Sequence, residues 1–373
     1  MRLIKPNVEI LEQKSGLDGI YKQIELAGRT CYKSEDKITE DSAKAFVDRM
    51  IASGHGAMLE HGTVYLTIPH KSMISKYTTN KYSKVCYDDT HKIEYVTTNY
   101  RVLVENNWLD DLQYVCEPTE HHEKRITVRW TLDRVTGESF LRHRVFSFAR
   151  ESTRYCNYSK DKFGNEITFI IPTWMDTIKD GDTFSYDTHI EEWQKSEDAN
   201  TSNFLQSIAW AEKNYLTLIH NGWKPQQARQ VLPFSVHSPL VMTGFESDWK
   251  HFFSLRSPKY GAKGVHPDAA YLADKLYDML YVEKDSDFSV MHCDAFDGEN
   301  PLLNDGDMIT YHSGYDKNKN SYTLLGITIK SKDGETLYMN REEYYKLKEF
   351  QVEKEEEFLK NTRKQNRELC NNL

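Results

Sequence analysis

Two stretches of the chain alternate apolar and polar residues with a period of two, and they set the fold class. Over residues 62–69 the apolar positions are Val64, Leu66 and Ile68. Over 125–132 they are Ile126, Val128, Trp130 and Leu132, with Arg125, Thr127, Arg129 and Thr131 on the other face. Such alternation suits strands with one face in a core and one face polar, the habit of antiparallel sheets. Elsewhere the apolar spacing is helical. Val8, Ile10 and Leu11 predict a first strand. Ser15 then caps a helix carrying Leu17, Ile20, Tyr21, Ile24 and Leu26. A second helix is expected to open at Thr39, with Glu40 and Asp41 at its positive end and Phe46, Val47, Met50 and Ile51 on its apolar face, and to stop at Gly54.

Residues 71–123 are polar and rich in tyrosine, and predict an elaborated hairpin with a strand over 95–104. A helix near Thr136 turns Phe140 and Leu141 inward and delivers Arg142, His143 and Arg144 near its end. Residues 166–171 predict a short buried strand closed by Pro172. Helices follow over 202–219, from Pro225, over 248–255 and from Pro267 through 281. The expected class is α+β, a mostly antiparallel sheet packed with long helices, over residues 1–284. From about 285 the character changes to a small appended α+β module. It has strand-like pieces over 301–338, turns at Asn304-Asp305-Gly306 and Lys332-Asp333-Gly334, and a charged helix over 342–369.

Hydrophobic residues at 39% and charged residues at 28% fit a globular chain, and a net charge of -9 argues against a general nucleic-acid or anionic-membrane binder. No apolar run is long enough for an export signal or a membrane span, so a cytoplasmic protein is expected. The six cysteines are scattered without a CxxC pair, which points to reduced thiols and no zinc. His121 and His122 are adjacent, a spacing that does not place both on one helix face.

Against that acidic background one segment stands out. Residues 125–154 hold seven arginines, three acids and no lysine. Arg142, Arg144, Arg150 and Arg154 are interleaved with Phe146, Phe148 and Tyr155, and Ser147, Ser152 and Thr153 add hydroxyls. The bland reading is that each arginine pairs with an acid on a solvated face. The density of forked guanidinium groups favours phosphate binding instead. His143 between two arginines is expected to stay neutral.

Arg142-His143-Arg144, seven intervening residues, then Ser152 and Arg154-Tyr155 resembles the signature of the ThyX family of flavin-dependent thymidylate synthases. Three further blocks are similar to that family: 55–61 (HGAMLEH), 228–233 (ARQVLP) and 248–256 (DWKHFFSLR). The likeness covers most of residues 8–283, with the expansion near 71–123, and not the C-terminal module. It implies a homotetramer with shared active sites, dUMP as substrate, methylenetetrahydrofolate as carbon donor, FAD as cofactor and NADPH as its reductant. The resemblance assigns His55, Ala57, Arg142, His143, Arg144, Arg150 and His251 to FAD. To dUMP it assigns Arg142, Arg150, Ser152, Arg154, Arg229 and Arg256, with Arg256 as the catalytic group and no metal. Several positions depart from the family pattern. Ala57 stands for Ser or Thr, Ser139 for Gln or Glu, and Arg150 for Glu or Gln, while Phe245 and Ser247 replace FAD-contacting types. Two other readings remain: a nucleotide-binding flavoprotein acting as an NADPH oxidase, and a nucleic-acid binder using the arginine segment.

Overall fold

The computed structural model describes residues 1–69, 75–160, 164–194 and 198–282, and three later strands. It divides into two compact units, Met1–Leu276 and Tyr277–Leu373.

The first unit opens with β1 (Arg2–Ile4), β2 (Asn7–Ile10), α1 (Gly16–Tyr32), α2 (Ser42–Ala52) and the single turn α3 (Gly56–Leu59). Next come β3 (Thr63–Pro69), β4 (Lys84–Asp88), β5 (Ile93–Asn99), α4 (Tyr100–Glu105) and β6 (Arg125–Thr131). Then follow α5 (Arg134–Phe140), β7 (Ser147–Arg150), β8 (Thr168–Ile170), α6 (Tyr186–Gln194), α7 (Ala199–His220) and α8 (Pro225–Ala228). β9 (Leu240–Phe245), α9 (Glu246–Arg256) and α10 (Pro267–Tyr277) complete the set.

Both alternating segments form strands, β3 and β6, with Val64, Leu66, Val128 and Trp130 fully buried. β6 belongs to an antiparallel sheet of order β2-β6-β9-β7, and β3 to a second antiparallel sheet, β3-β5-β4. β1 and β8 pair in parallel. The class is therefore mixed α+β with mainly antiparallel pairing.

The β2-β6-β9-β7 sheet is covered on both faces. Val241 and Ala149 join a core with Ile20, Ile24, Phe46, Val47 and Leu59 from the first helices. The opposite face packs an aromatic cluster from α5, α9 and the turn between α5 and β7. Phe146 lies 4.6 Å from Trp249, Phe140 5.0 Å from Trp130, and Phe252 5.1 Å from Phe140. Gly244 lets the Phe146 ring lie directly on the β9 backbone, because a Cβ there would overlap it. Gly244→Ala is expected to cost about 1–3 kcal/mol by overpacking, read as a lower urea midpoint at unchanged m.

Several expectations shift. The strand expected over 95–104 breaks at Asn99, whose side chain accepts from Val102 N at 3.1 Å and caps α4. The local side chain–backbone bond outcompetes the strand preference of Tyr100, Val102 and Val104. α2 begins at Ser42 rather than Thr39, and Ile51, expected on its buried face, is 38% exposed. β7, β9 and α6 had no clear sequence signal. α5 is capped by Asp133, which accepts from Thr136 N at 2.8 Å, and ends at Phe140. Arg142, His143 and Arg144 thus lie beyond the helix, in a turn closed by Phe146 N donating to His143 O at 3.1 Å.

In the second unit β10 (Met308–Asp316), β11 (Ser321–Lys330) and β12 (Thr336–Asn340) form an antiparallel meander with an irregularity at His312/Ser313. The two expected turns and the charged helix over 342–369 lie outside the described residues.

Candidate active site

The seven arginines of residues 125–154 sort into three groups. Arg129, Arg134 and Arg150 pair with Glu9 or Glu138. Arg125 is turned into the fold, where it donates to the Glu60 carbonyl at 3.1 Å and lies over Phe245 at 5.5 Å. Burial holds its pKa down at about 10. Arg142, Arg144 and Arg154 are exposed and, among the described residues, pair with no carboxylate. The bland reading accounts for three of the seven arginines and not for the motif positions Arg142, Arg144 and Arg154.

Arg150 is tied to the protein on all three nitrogens. Alternation in β7 turns Ser147 and Ala149 toward the first helices and Phe148 and Arg150 toward α5. There Arg150 Nε donates to Ser238 Oγ at 2.8 Å, Nη1 to Glu138 Oε1 at 3.0 Å and Nη2 to the Arg134 carbonyl at 2.8 Å. Gly137 makes room, since a Cβ at that position would stand 2.8 Å from Arg150 Nη2. All three nitrogens have protein acceptors, so Arg150 acts as a clamp between β7 and α5.

One cluster of motif residues forms where α9 ends against the turn after α5. Arg256 is the last residue of α9 and half-buried. Its Nε donates to His143 Nε2 at 3.1 Å and its Nη2 to the Ser139 carbonyl at 2.9 Å. His143 is buried, 4.9 Å from the Phe252 ring and 6.5 Å from His251, which is exposed. Burial first, and then Arg256, hold the imidazole down to about pKa 4. It is neutral, as the sequence suggested, but the flanking arginines are not the main reason. Burial and the neighbouring Arg142 charge also lower the Arg256 pKa.

A second cluster forms where the chain leaves β7. Ser152 N donates to the Cys31 carbonyl at the end of α1, at 2.9 Å. Arg229, in a short 3-10 turn after α8, donates to Thr153 Oγ1 at 2.9 Å. Arg154 reaches out over the exposed Tyr155 ring. Tyr155 lies 6.0 Å from Tyr32, whose hydroxyl meets His55 Nδ1 at 3.0 Å. Ala57, the second residue of α3, is exposed beside them. Buried Glu151 anchors the loop from below. It accepts from Tyr158 OH at 2.5 Å and has Lys33 Nζ at 3.8 Å, and burial raises its pKa. Lys33 ends α1 in the left-handed conformation, at φ 46.

Within one chain the motif residues therefore gather into two groups. His143, His251 and Arg256, with Arg142 close by, form one. Ser152, Arg154, Arg229 and His55 form the other. The sequence did not single out Tyr32 or Glu151. The hydroxyl of Thr153 beside Ser152 was legible, but Tyr32 reads as an ordinary helix-end aromatic.

Cysteine has no evident part in either group. The Cys31 thiol is pushed up to about 11 by burial, and burial also raises Cys116. Cys293 and Cys370 lie outside the described residues. Among the described residues no three His, Cys, Asp or Glu side chains are placed to hold a metal ion, and no helix is long and apolar enough to cross a membrane.

Comparison with known proteins shows the family. The family described as Thy1, thymidylate synthase complementing protein, matches residues 75–281, more than half of the chain. The flavin-dependent thymidylate synthase of Pyrococcus abyssi is 25% identical over 224 residues, 60% of this chain and 58% of that protein, so the match spans less than two thirds of its length. The protein of the same name from Corynebacterium glutamicum is 21% identical over 268 residues, 71% of this chain and 79% of that one. A solved UMP/dUMP methylase from Streptomyces cacaoi, bound with 5-Br dUMP, overlaps 76% of this chain and 93% of its own at 18% identity and a TM-score of 0.34.

Proposed function

From the premise that this chain belongs to the Thy1 family, we propose that it is a flavin-dependent thymidylate synthase, converting dUMP to dTMP with methylenetetrahydrofolate as carbon donor. The observation that carries the reading is the set of cationic side chains at motif positions that no carboxylate neutralises. Among the described residues Arg142, Arg144, Arg154, Arg229 and Arg256 all lack an acidic partner, in a protein of net charge -9. Such groups suit a site that an anion completes.

In this proposal Ser152, Thr153, Arg154 and Arg229 hold the dUMP phosphate. Ser152 and Thr153 follow β7 directly, and Arg229 is already fixed to Thr153, so its position is set before a ligand arrives. Arg256 faces the uracil. Hydride arriving at the sixth carbon places negative charge on the ring, and a fixed guanidinium at a ring carbonyl stabilises that charge. Arg150 is withdrawn from both the nucleotide and flavin sets.

The residues present fit FAD. Arg142 and Arg144 offer two exposed cations for its pyrophosphate, and exposed His251 in the first cluster, with His55 and Ala57 in the second, offers accessible surface for a flat ring. Bound and reduced by NADPH, that group supplies hydride transfer. The two clusters within one chain also suit sites completed by neighbouring copies, so we propose the shared-site homotetramer of the family. We further propose that the first unit carries the synthase, that residues 285–373 are an appended module, and that the enzyme works in the cytoplasm.

The test is purified protein with dUMP, methylenetetrahydrofolate, FAD and NADPH. Formation of dTMP with oxidation of NADPH is expected. NADPH oxidation without dTMP would favour the oxidase reading, and no flavin binding with salt-sensitive oligonucleotide binding would favour the nucleic-acid reading. Because burial raises the Cys116 thiol away from the thiolate, Cys116→Ser is expected to stay within about twofold of wild-type turnover. A tenfold loss in a folded variant would reopen a cysteine mechanism.

A further inference from the structure

The contact between Arg256 and His143 has a direction that chemistry fixes. An arginine Nε only donates, so at 3.1 Å His143 Nε2 must be the acceptor. His143 then carries its proton on Nδ1. The second contact, Arg256 Nη2 to the Ser139 carbonyl at 2.9 Å, uses the same edge of the guanidinium. One edge of this flat group is thus occupied twice by the protein, and Nη1 has no partner among the described residues.

The acceptor is itself immobile. The His143 ring is 7% exposed and packs at 4.9 Å from Phe252 and 6.4 Å from Phe146, inside the aromatic cluster. The Ser139 side chain is not needed, because its hydroxyl donates back to the Thr136 carbonyl at 2.7 Å and only its backbone meets Arg256. A protonated imidazole would turn the acceptor into a donor and push the guanidinium away. Burial and Arg256 itself keep that from happening until about pH 4.

We propose that His143 is a positioning residue: as a neutral acceptor it holds Arg256 by its Nε–Nη2 edge, so that the guanidinium presents its other edge to the nucleotide base. The proposal rests on reading Arg256 as the base-facing group, and it differs from the flavin contact that the resemblance gives His143. It also explains why this motif histidine points inward while the arginines on either side point out.

The experiment combines two substitutions with one spectrum. His143→Phe keeps the packing against Phe252 and removes the acceptor; His143→Gln restores an acceptor oxygen. With misplacement of a fixed donor costing up to about 100-fold, His143→Phe is expected to lower kcat for dTMP about 30- to 100-fold. Its flavin content and its rate of flavin reduction by NADPH should match wild type. His143→Gln is expected to recover to within about fivefold of wild type. In free wild-type protein labelled with 15N-histidine, the His143 resonance should show the Nδ1–H tautomer from pH 8 to pH 5.

An Nε2–H tautomer or a charged ring at pH 7 overturns the proposal. So does a His143→Phe variant that merely loses flavin, with normal kcat per bound flavin, or a His143→Gln variant as slow as the Phe one. If His143→Phe does not fold, the Gln variant and the spectrum still decide. If wild-type protein makes no dTMP, the functional reading fails, while the spectrum still reports separately on the histidine–arginine contact.

Discussion

Arg256→Ala is expected to lower kcat for dTMP formation about 100- to 1000-fold, the loss typical of removing one fixed donor from a site of developing negative charge. The protein should still purify yellow and still accept hydride from NADPH. The reason is the division of labour among the clusters. The residues nominated for FAD include His55, Arg142 and Arg144, none of which depends on Arg256 for a hydrogen bond. The nucleotide phosphate is assigned to Ser152, Arg154 and Arg229, in the other cluster. Removing Arg256 therefore takes away only the charge beside the base. Arg256→Lys is expected to recover less than tenfold, because one ammonium cannot engage His143 and Ser139 along a flat edge and still present a second donor edge. A variant with turnover within tenfold of wild type would remove Arg256 from the chemistry.

Acid should unfold this protein earlier than its carboxylates alone require. His61, His143 and His237 are held neutral in the fold, at about 3, 4 and 3, each by burial first. His61 is fully enclosed and meets Thr243 Oγ1 at 2.8 Å, with Arg125 nearby as a second discouragement to protonation. In the unfolded chain each imidazole titrates near 6.5. A lowered folded pKa means the unfolded state takes up the proton first. The contribution is fully present above about pH 6.5 and is lost progressively as pH falls toward 4. Between pH 7 and 5.5 this amounts to about 1 kcal/mol per imidazole and roughly 3–4 kcal/mol for the three. Glu151 and Asp248, raised by burial, act in the opposite sense and offset part of the fall as pH drops through their folded range. Urea midpoints measured at pH 7, 6 and 5.5 should fall steadily, and His61→Gln should flatten the fall by about a third. A midpoint unchanged over that range would mean that water reaches these rings.

How much of this was legible depends on what each segment faces. β3 and β6 show one face to a core and one to polar surroundings, so their period of two is plain in the sequence. β9 is buried at all six positions, and Leu240-Val241-Met242-Thr243-Gly244-Phe245 carries no alternation to read. The strand at 95–104 was cut by one side chain, Asn99, whose capping bond outweighs a run of β-formers. In the site, the spacing of the arginines pointed to anions, but spacing alone does not tell which guanidinium turns outward. That depends on β7, a strand of four residues too short to announce itself, whose pleat sends Arg150 to Glu138 and Ser238. Likewise, the neutrality of His143 was foreseen from its neighbours in sequence, while its buried pocket and its bond to a residue over a hundred positions away come only with the tertiary fold.

The bond from Ser152 to the Cys31 carbonyl ties the exit of β7 to the final turn of α1. Whatever settles on Ser152 and its neighbours also clamps that helix end, through the backbone and through Tyr32 and His55. Saturation by a small anionic molecule is therefore transmitted to the N-terminal half of the protein as slower fraying and slower amide exchange at residues 29–34, in proportion to the logarithm of its concentration.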